Sequence, residues 1–107
     1  MLLQANTLNH QSGQIISAKN GQLTVELDND LLNQHGVVVT ETKLTIQADH
    51  IDNLQGKLVS RQGQLQLAIT KNINNQEGLI AAEQLLMISN QALLNRQGHL
   101  QAQNINM

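Results

Sequence analysis

The chain has 107 residues, with 6 Lys+Arg against 8 Asp+Glu and a formal net charge of −2. That balance gives no electrostatic footing for DNA, RNA or an anionic membrane, and with no Phe, Tyr or Trp there are no rings on which single-stranded nucleic acid could stack. With no cysteine there is neither a disulfide framework nor a thiolate metal site.

Side-chain amides are abundant: 16 Gln and 13 Asn, 29 of 107 residues, and proline is absent. Amides on closely spaced parallel strands form hydrogen-bonded ladders between neighbours, which points to stacked coils. Met1-Leu2-Leu3-Gln4 lacks the charged and apolar regions of a signal peptide, so an export signal is expected outside this segment. No apolar run approaches the roughly 20 residues of a membrane span.

Read in chain order, one phrase recurs. Leu8–Gly13 is a degraded copy with His10 at its third position. Leu31–Gly36, Ile51–Gly56, Ile73–Gly78 and Leu93–Gly98 are full copies, with Asn33, Asn53, Asn75 and Asn95 at that position. The anchor glycines Gly13, Gly36, Gly56, Gly78 and Gly98 are spaced by 23, 20, 22 and 20 residues. After each comes an inward aliphatic (Ile15, Val38, Leu58, Ile80, Leu100), then a small residue (Ser17, Thr40, Ser60, Ala82, Ala102). A second strand follows, with alternating inward candidates Leu23, Val25, Leu27; Leu44, Ile46, Ala48; Leu65, Leu67, Ile69; and Leu86, Ile88, Asn90. The extra residues fall between these strands, as indels do in loops on a regular scaffold.

Period-two apolar patterning is the strand signature. One such unit cannot bury its apolar face alone, whereas stacked units bury it continuously. The expectation is an all-β solenoid of about five coils of roughly 20 residues, residues 1–107 forming one repeat array. The glycine marks a corner that needs positive φ or close backbone approach. The asparagine beside it reads either as an independent turn residue or as a rung of an internal ladder, and both stay open. Two rival readings are weaker. Gln14–Lys19 and Gln22–Leu27 around Asn20-Gly21 resemble a β-hairpin, and Ala81–Leu94 has helix formers. Neither accounts for the register shared by all copies.

Chemistry is sparse. Asp28-Asn29-Asp30 and Asp49 with Asp52 fall at equivalent corners of adjacent coils. They read as turn residues more simply than as an oxygen site for a hard cation. His10, His35, His50 and His99 lie at different offsets from the glycines and form no ligand column. No catalytic, dinucleotide or phosphate-binding motif is present. No catalytic residue, metal or cofactor is therefore expected. On the strand after each glycine, Ile16, Val37, Val39, Val59, Leu79 and Ala81 fall at outward positions, a candidate contact strip or ordinary β-propensity filling.

The phrase L-x-N-x-x-G, followed by aliphatics and a second short strand, resembles the haemagglutinin-type repeats of filamentous haemagglutinin-like exoproteins. The resemblance covers Leu8 to the C-terminus. It implies a right-handed parallel β-helix, a non-catalytic fragment of a much longer rod, and secretion to the surface of a Gram-negative bacterium by a two-partner system. It also implies a role in adhesion, virulence or the stalk of a contact-dependent inhibition toxin. The partners implied are adjacent coils of the parent chain, an outer-membrane secretion partner, and a host or bacterial surface receptor. Three other functions stand beside it: a binding module using the aliphatic strip, a self-assembling curli-like fibre subunit, and a polysaccharide-active enzyme fragment.

Overall fold

The structure is a computed structural model that describes residues 2–16, 21–89 and 92–106, without the side chains of 85–92 and 104–106. Every regular element among the described residues is a strand, and every strand pair is parallel. The first turn comprises β1 (Leu2–Ala5), β2 (Leu8–Asn9) and β3 (Gln14–Ile16). The next comprises β4 (Leu23–Leu27), β5 (Asp30–Leu32) and β6 (Val37–Thr40). In the middle two turns the second strand and the repeat phrase merge, giving β7 (Leu44–Asp52) with β8 (Lys57–Ser60), and β9 (Gln64–Asn74) with β10 (Leu79–Ala81). β11 (Gln84–Ser89), β12 (Ala92–Leu94) and β13 (His99–Gln101) follow, and β14 (Asn104–Asn106) resumes the second-strand column.

Like strands stack on like strands. The strands after each glycine form one sheet in the order β13-β10-β8-β6-β3, and all others form the second sheet. The five glycine corners bound four complete turns. β1 extends the stack N-terminally beyond the repeat register, pairing Leu2–Ala5 with Thr24–Leu27. β3 and β4 lie in different sheets and do not pair as a hairpin; Ser17 and Asn20 lie outside the described residues.

The core is made of aligned columns. Leu23, Leu44 and Leu65 stack, as do Val25, Ile46 and Leu67, and all six are buried. Leu31, Ile51 and Ile73 form a third buried column, and Val38, Leu58 and Ile80 a fourth. At ~4.8 Å between strands, equivalent residues touch along the axis. Each buried Leu or Ile contributes roughly 1.5–3 kcal/mol.

One expected register is corrected. In β11 the inward column Leu65, Leu67, Ile69 aligns with Leu85, Met87 and Ser89, not with Leu86 and Ile88. Asn90 lies outside the described residues. Leu86 and Ile88 instead share columns with Gln66 and Ala68. The corner after Ala82 is thus one residue shorter than the pattern implied, and the corner before Leu93 one longer. The two changes cancel in the repeat length.

Candidate functional site

The feature that the repeat places in every turn is the glycine corner. It contains a left-handed residue, and this residue is not the glycine but the one before it. Positive φ falls on Ser12, His35, Gln55, Glu77 and Gln97, between 54° and 58°, and on no glycine. The glycine is required for space. A Cβ on Gly56 would collide with the Asn33 carbonyl of the preceding turn and lie 2.5 Å from Asn53 Oδ1. Gly78 and Gly98 meet the same pair of atoms, one turn further each time. Of the two needs that sequence assigns to this position, close approach is the one present.

That approach makes room for a buried ladder. Asn33 Nδ2 donates to Asn53 Oδ1, Asn53 Nδ2 to Asn75 Oδ1, and Asn75 Nδ2 to Asn95 Oδ1, each at 2.8 Å. The second hydrogen of each amide serves main chain. In the next turn it reaches the carbonyls of Lys57, Leu79 and His99 at 3.2–3.3 Å, and within the same corner those of Gly36 and Gly56. Asn33, Asn53 and Asn75 are fully buried. A buried amide without partners would cost a few kcal/mol, so the ladder supplies what burial demands. The asparagines are rungs, not independent turn residues.

His10 ends the ladder. Its Nε2 lies 3.3 Å from the Val37 carbonyl, the bond that Asn33 makes to Lys57 one turn later. An amide nitrogen carries two hydrogens and an imidazole nitrogen only one. The Val37 carbonyl takes that one, and Asn33 Oδ1 is left buried without a partner.

On the exposed surface of the stack, amides and carboxylates bridge successive turns. Gln4 bonds Glu26 at 3.0 Å, Gln11 bonds Gln34 at 3.1 Å, Gln55 bonds Glu77 at 2.7 Å and Gln64 bonds Gln84 at 3.2 Å. The acidic corner residues are used in the same way. Asp49 accepts from Thr70 Oγ1 at 2.6 Å, and Asp52 from Gln34 Nε2 at 2.6 Å. Asp30 lies opposite His50, not opposite a second acid. Among the described residues no three His, Asp or Glu side chains converge. The four histidines occupy four different columns: His10 at the ladder position, His35 at the left-handed position, His50 between Asp30 and Asn72, and His99 against Leu79.

The aliphatic strip falls into two neighbouring columns of the five-stranded sheet. Ile16, Val39, Val59 and Ala81 align in one, and Val37 and Leu79 alternate with Lys57 in the other. Ile16 is 66% exposed and the other five are half-buried. At its C-terminal end the strip borders an open depression of about 610 Å³ between Val59, Arg61, Ala81, Glu83 and Gln101. It lies where the corner shortens from one turn to the next. The left-handed column and the role of His10 are the features that sequence reasoning missed. Ser, His, Gln, Glu and Gln share no chemistry that announces a common backbone conformation.

Comparison with known proteins gives the same repeat. The family model described as haemagglutinin repeat matches residues 2–34, 20–76 and 62–105. Neither a curated protein nor a solved structure matches the chain. The family is structural and non-enzymatic in kind and occurs in secreted or cell-surface adhesins. The matched segments together span almost the whole sequence and coincide with the stacked turns, so the chain belongs to the haemagglutinin-repeat family.

Proposed function

We propose that the chain is a non-catalytic rod segment of a large secreted or surface-anchored adhesin-type filament of a Gram-negative bacterium. The parent protein crosses the outer membrane with a secretion partner, and this segment holds distal adhesive or toxic domains away from the cell. The observation that carries the reading is the use of the repeated residues. From the second corner on, each turn uses its Asn, its Gly and its inward aliphatics to bind neighbouring turns. Such a design transmits position and length. The test is the native product, detected by an antibody to this segment in medium, surface and cytoplasmic fractions. A secreted or surface band far larger than 12 kDa is expected. A cytoplasmic band near 12 kDa would overturn the reading.

A second reading rests on the strip. Four stacked aliphatics facing outward, one of them 66% exposed, form a flat apolar line of the kind that marks contact surfaces. Under this reading the segment itself touches a host or bacterial receptor. Replacing Val39 and Val59 together by Lys abolishes that binding while leaving the inward columns intact. Binding unchanged by the double substitution removes the strip as an interface.

A further inference from the structure

The outward side chains of the five-stranded sheet are graded along the stack. In the column Ile16, Val39, Val59, Ala81 the side chain shrinks from the first turn to the fourth. The column beside it runs Gln14, Val37, Lys57, Leu79, with one charge, on Lys57. Just past the small inward residues, Glu41, Arg61 and Glu83 follow one another in successive turns and alternate in sign. Arg61 Nη1 lies 3.7 Å from Glu41 Oε2, and the Arg61 side chain is 66% exposed. Arg61 and Glu83 border the same depression as Val59 and Ala81, so the charged column looks out on the side that the strip faces.

These gradients are self-complementary under one operation. A twofold axis parallel to the strands, midway between β6 and β8, sets a second copy face to face with the first and reverses the direction of its stack. Val39 then lies over the second copy's Val59 and Ile16 over its Ala81, so medium meets medium and the largest meets the smallest. Val37 lies over the stem of Lys57, which can cover apolar surface while its ammonium stays in water. Gln14 and Leu79 meet at the margin, and Glu41 falls opposite the second copy's Arg61. By the symmetry each contact occurs twice. With the axis on β6, Glu41 would oppose Glu41. With the axis on β8, Lys57 would oppose Lys57 and Arg61 would oppose Arg61. Like charges opposed across an interface are unfavourable, so sign and size select the same register. A twofold axis along the stack is excluded on the same grounds: it sets Ile16, the most exposed of the strip, over Gln14, and Val59 over Lys57.

We propose that the aliphatic strip is a contact face for a second copy of this chain, packed antiparallel about the axis between β6 and β8. This rests on the strip being an interface, as in the second reading above, and gives it one partner. The contact uses the side of the turns and needs neither edge of the stack. Four strands span about 19 Å along the stack and the three columns about 13 Å across it, so each copy covers about 250 Å². Stable interfaces cover about 800 Å² per partner. The pair formed by this chain is therefore weak, with a dissociation constant of roughly 0.1–1 mM. Failure of self-association would leave the filament reading standing, and a receptor at the strip would then be sought with the Val39 and Val59 substitutions.

Paramagnetic relaxation in the 107-residue chain, up to about 2 mM, tests both the pairing and its direction. A nitroxide on Glu83→Cys, an exposed position, is placed on unlabelled copies and mixed with 15N-labelled wild type. The antiparallel pair brings it to the β3 end of the labelled copy, so broadening at the Gln14, Ile15 and Ile16 amides is expected. Arg61→Glu and Glu41→Arg, each alone, should raise the dissociation constant about tenfold or more. An equimolar mixture of the two variants should associate again, because an acidic pair then faces a basic pair. Melting of each variant when dilute separates loss of pairing from loss of folding, and recovery on mixing cannot come from repaired folding. A chain monomeric at about 2 mM, broadening centred on residues 79–83 of the labelled copy, or no recovery on mixing would overturn the proposal, even where the strip binds a receptor.

Discussion

The two kinds of corner differ in how they are held. The Asn–Gly corner keeps one length in every turn, with its amide buried and its main chain bonded to the turns on either side. The corner after the small residue varies. From Thr40 to Leu44, Ser60 to Leu65 and Ala82 to Leu85 the steps are 4, 5 and 3. Its side-chain links also reach the neighbouring turn, as Thr42 Oγ1 does to the Gly21 carbonyl at 2.8 Å and Arg61 to Glu41 at 3.7 Å, but they form no buried column. A corner wired through its interior tolerates no change in length, because one added residue would take the amide out of the column. A corner that meets its neighbours through main-chain bonds, with no buried side-chain column, accommodates insertions. The Asn–Gly corner therefore sets the register of the solenoid, and the other absorbs variation.

The comparison can be broken most sharply at Gly56. Gly56→Ala drives a methyl group into the Asn33 carbonyl and Asn53 Oδ1, and both are held by the stack. A loss of about 3 kcal/mol or more is expected in urea unfolding. Asn53→Ala removes a central rung, taking the side-chain acceptor from Asn33 Nδ2 and the donor from Asn75 Oδ1. Roughly 3 kcal/mol is expected, more than for Asn33→Ala, whose Oδ1 already lacks a partner. Thermal melts of the two variants side by side check the order.

His10→Asn acts in the opposite direction. It supplies the second hydrogen that Asn33 Oδ1 lacks, and a gain of about 1 kcal/mol is expected in the same melts. The smallest effect belongs to the variable corner. A Gly-Ser insertion between Ala82 and Glu83 restores the length found after Ser60, and should cost only about 0.6 kcal/mol of loop entropy. The same insertion between Gln55 and Gly56 should abolish cooperative unfolding. Comparable losses from the two insertions would erase the distinction between the corners.

Much of the architecture was legible because the phrase repeats. The inward columns through Leu44, Ile46, Leu65 and Leu67 follow from period-two spacing measured from each glycine, and all are buried. The reading failed where alternation is lost. Leu85-Leu86-Met87-Ile88 is apolar throughout, so spacing offers no choice between adjacent registers, and strand pairing selects Leu85 and Met87. β1 was missed because no phrase precedes Leu2–Ala5 to set its register. The asparagine column was visible, but its contacts were not. A turn asparagine and a ladder asparagine have the same spacing and differ only in which way the amide faces. The left-handed position was invisible because its backbone is imposed by the corner and not by its side chains. The contact strip could be placed in columns from sequence, but what it meets is not written in its aliphatic residues.

Side-chain hydrogen exchange tests the amide ladder most directly. In the 15N-labelled chain, kept dilute enough to be monomeric, the Nδ2 hydrogens of Asn53 and Asn75 should exchange slowly and resonate as well-separated pairs. Those of Asn95, with no acceptor among the described residues, should exchange freely. Equal and rapid exchange at all three positions would mean that the asparagines are independent turn residues, and the corner would lose its part in holding the stack.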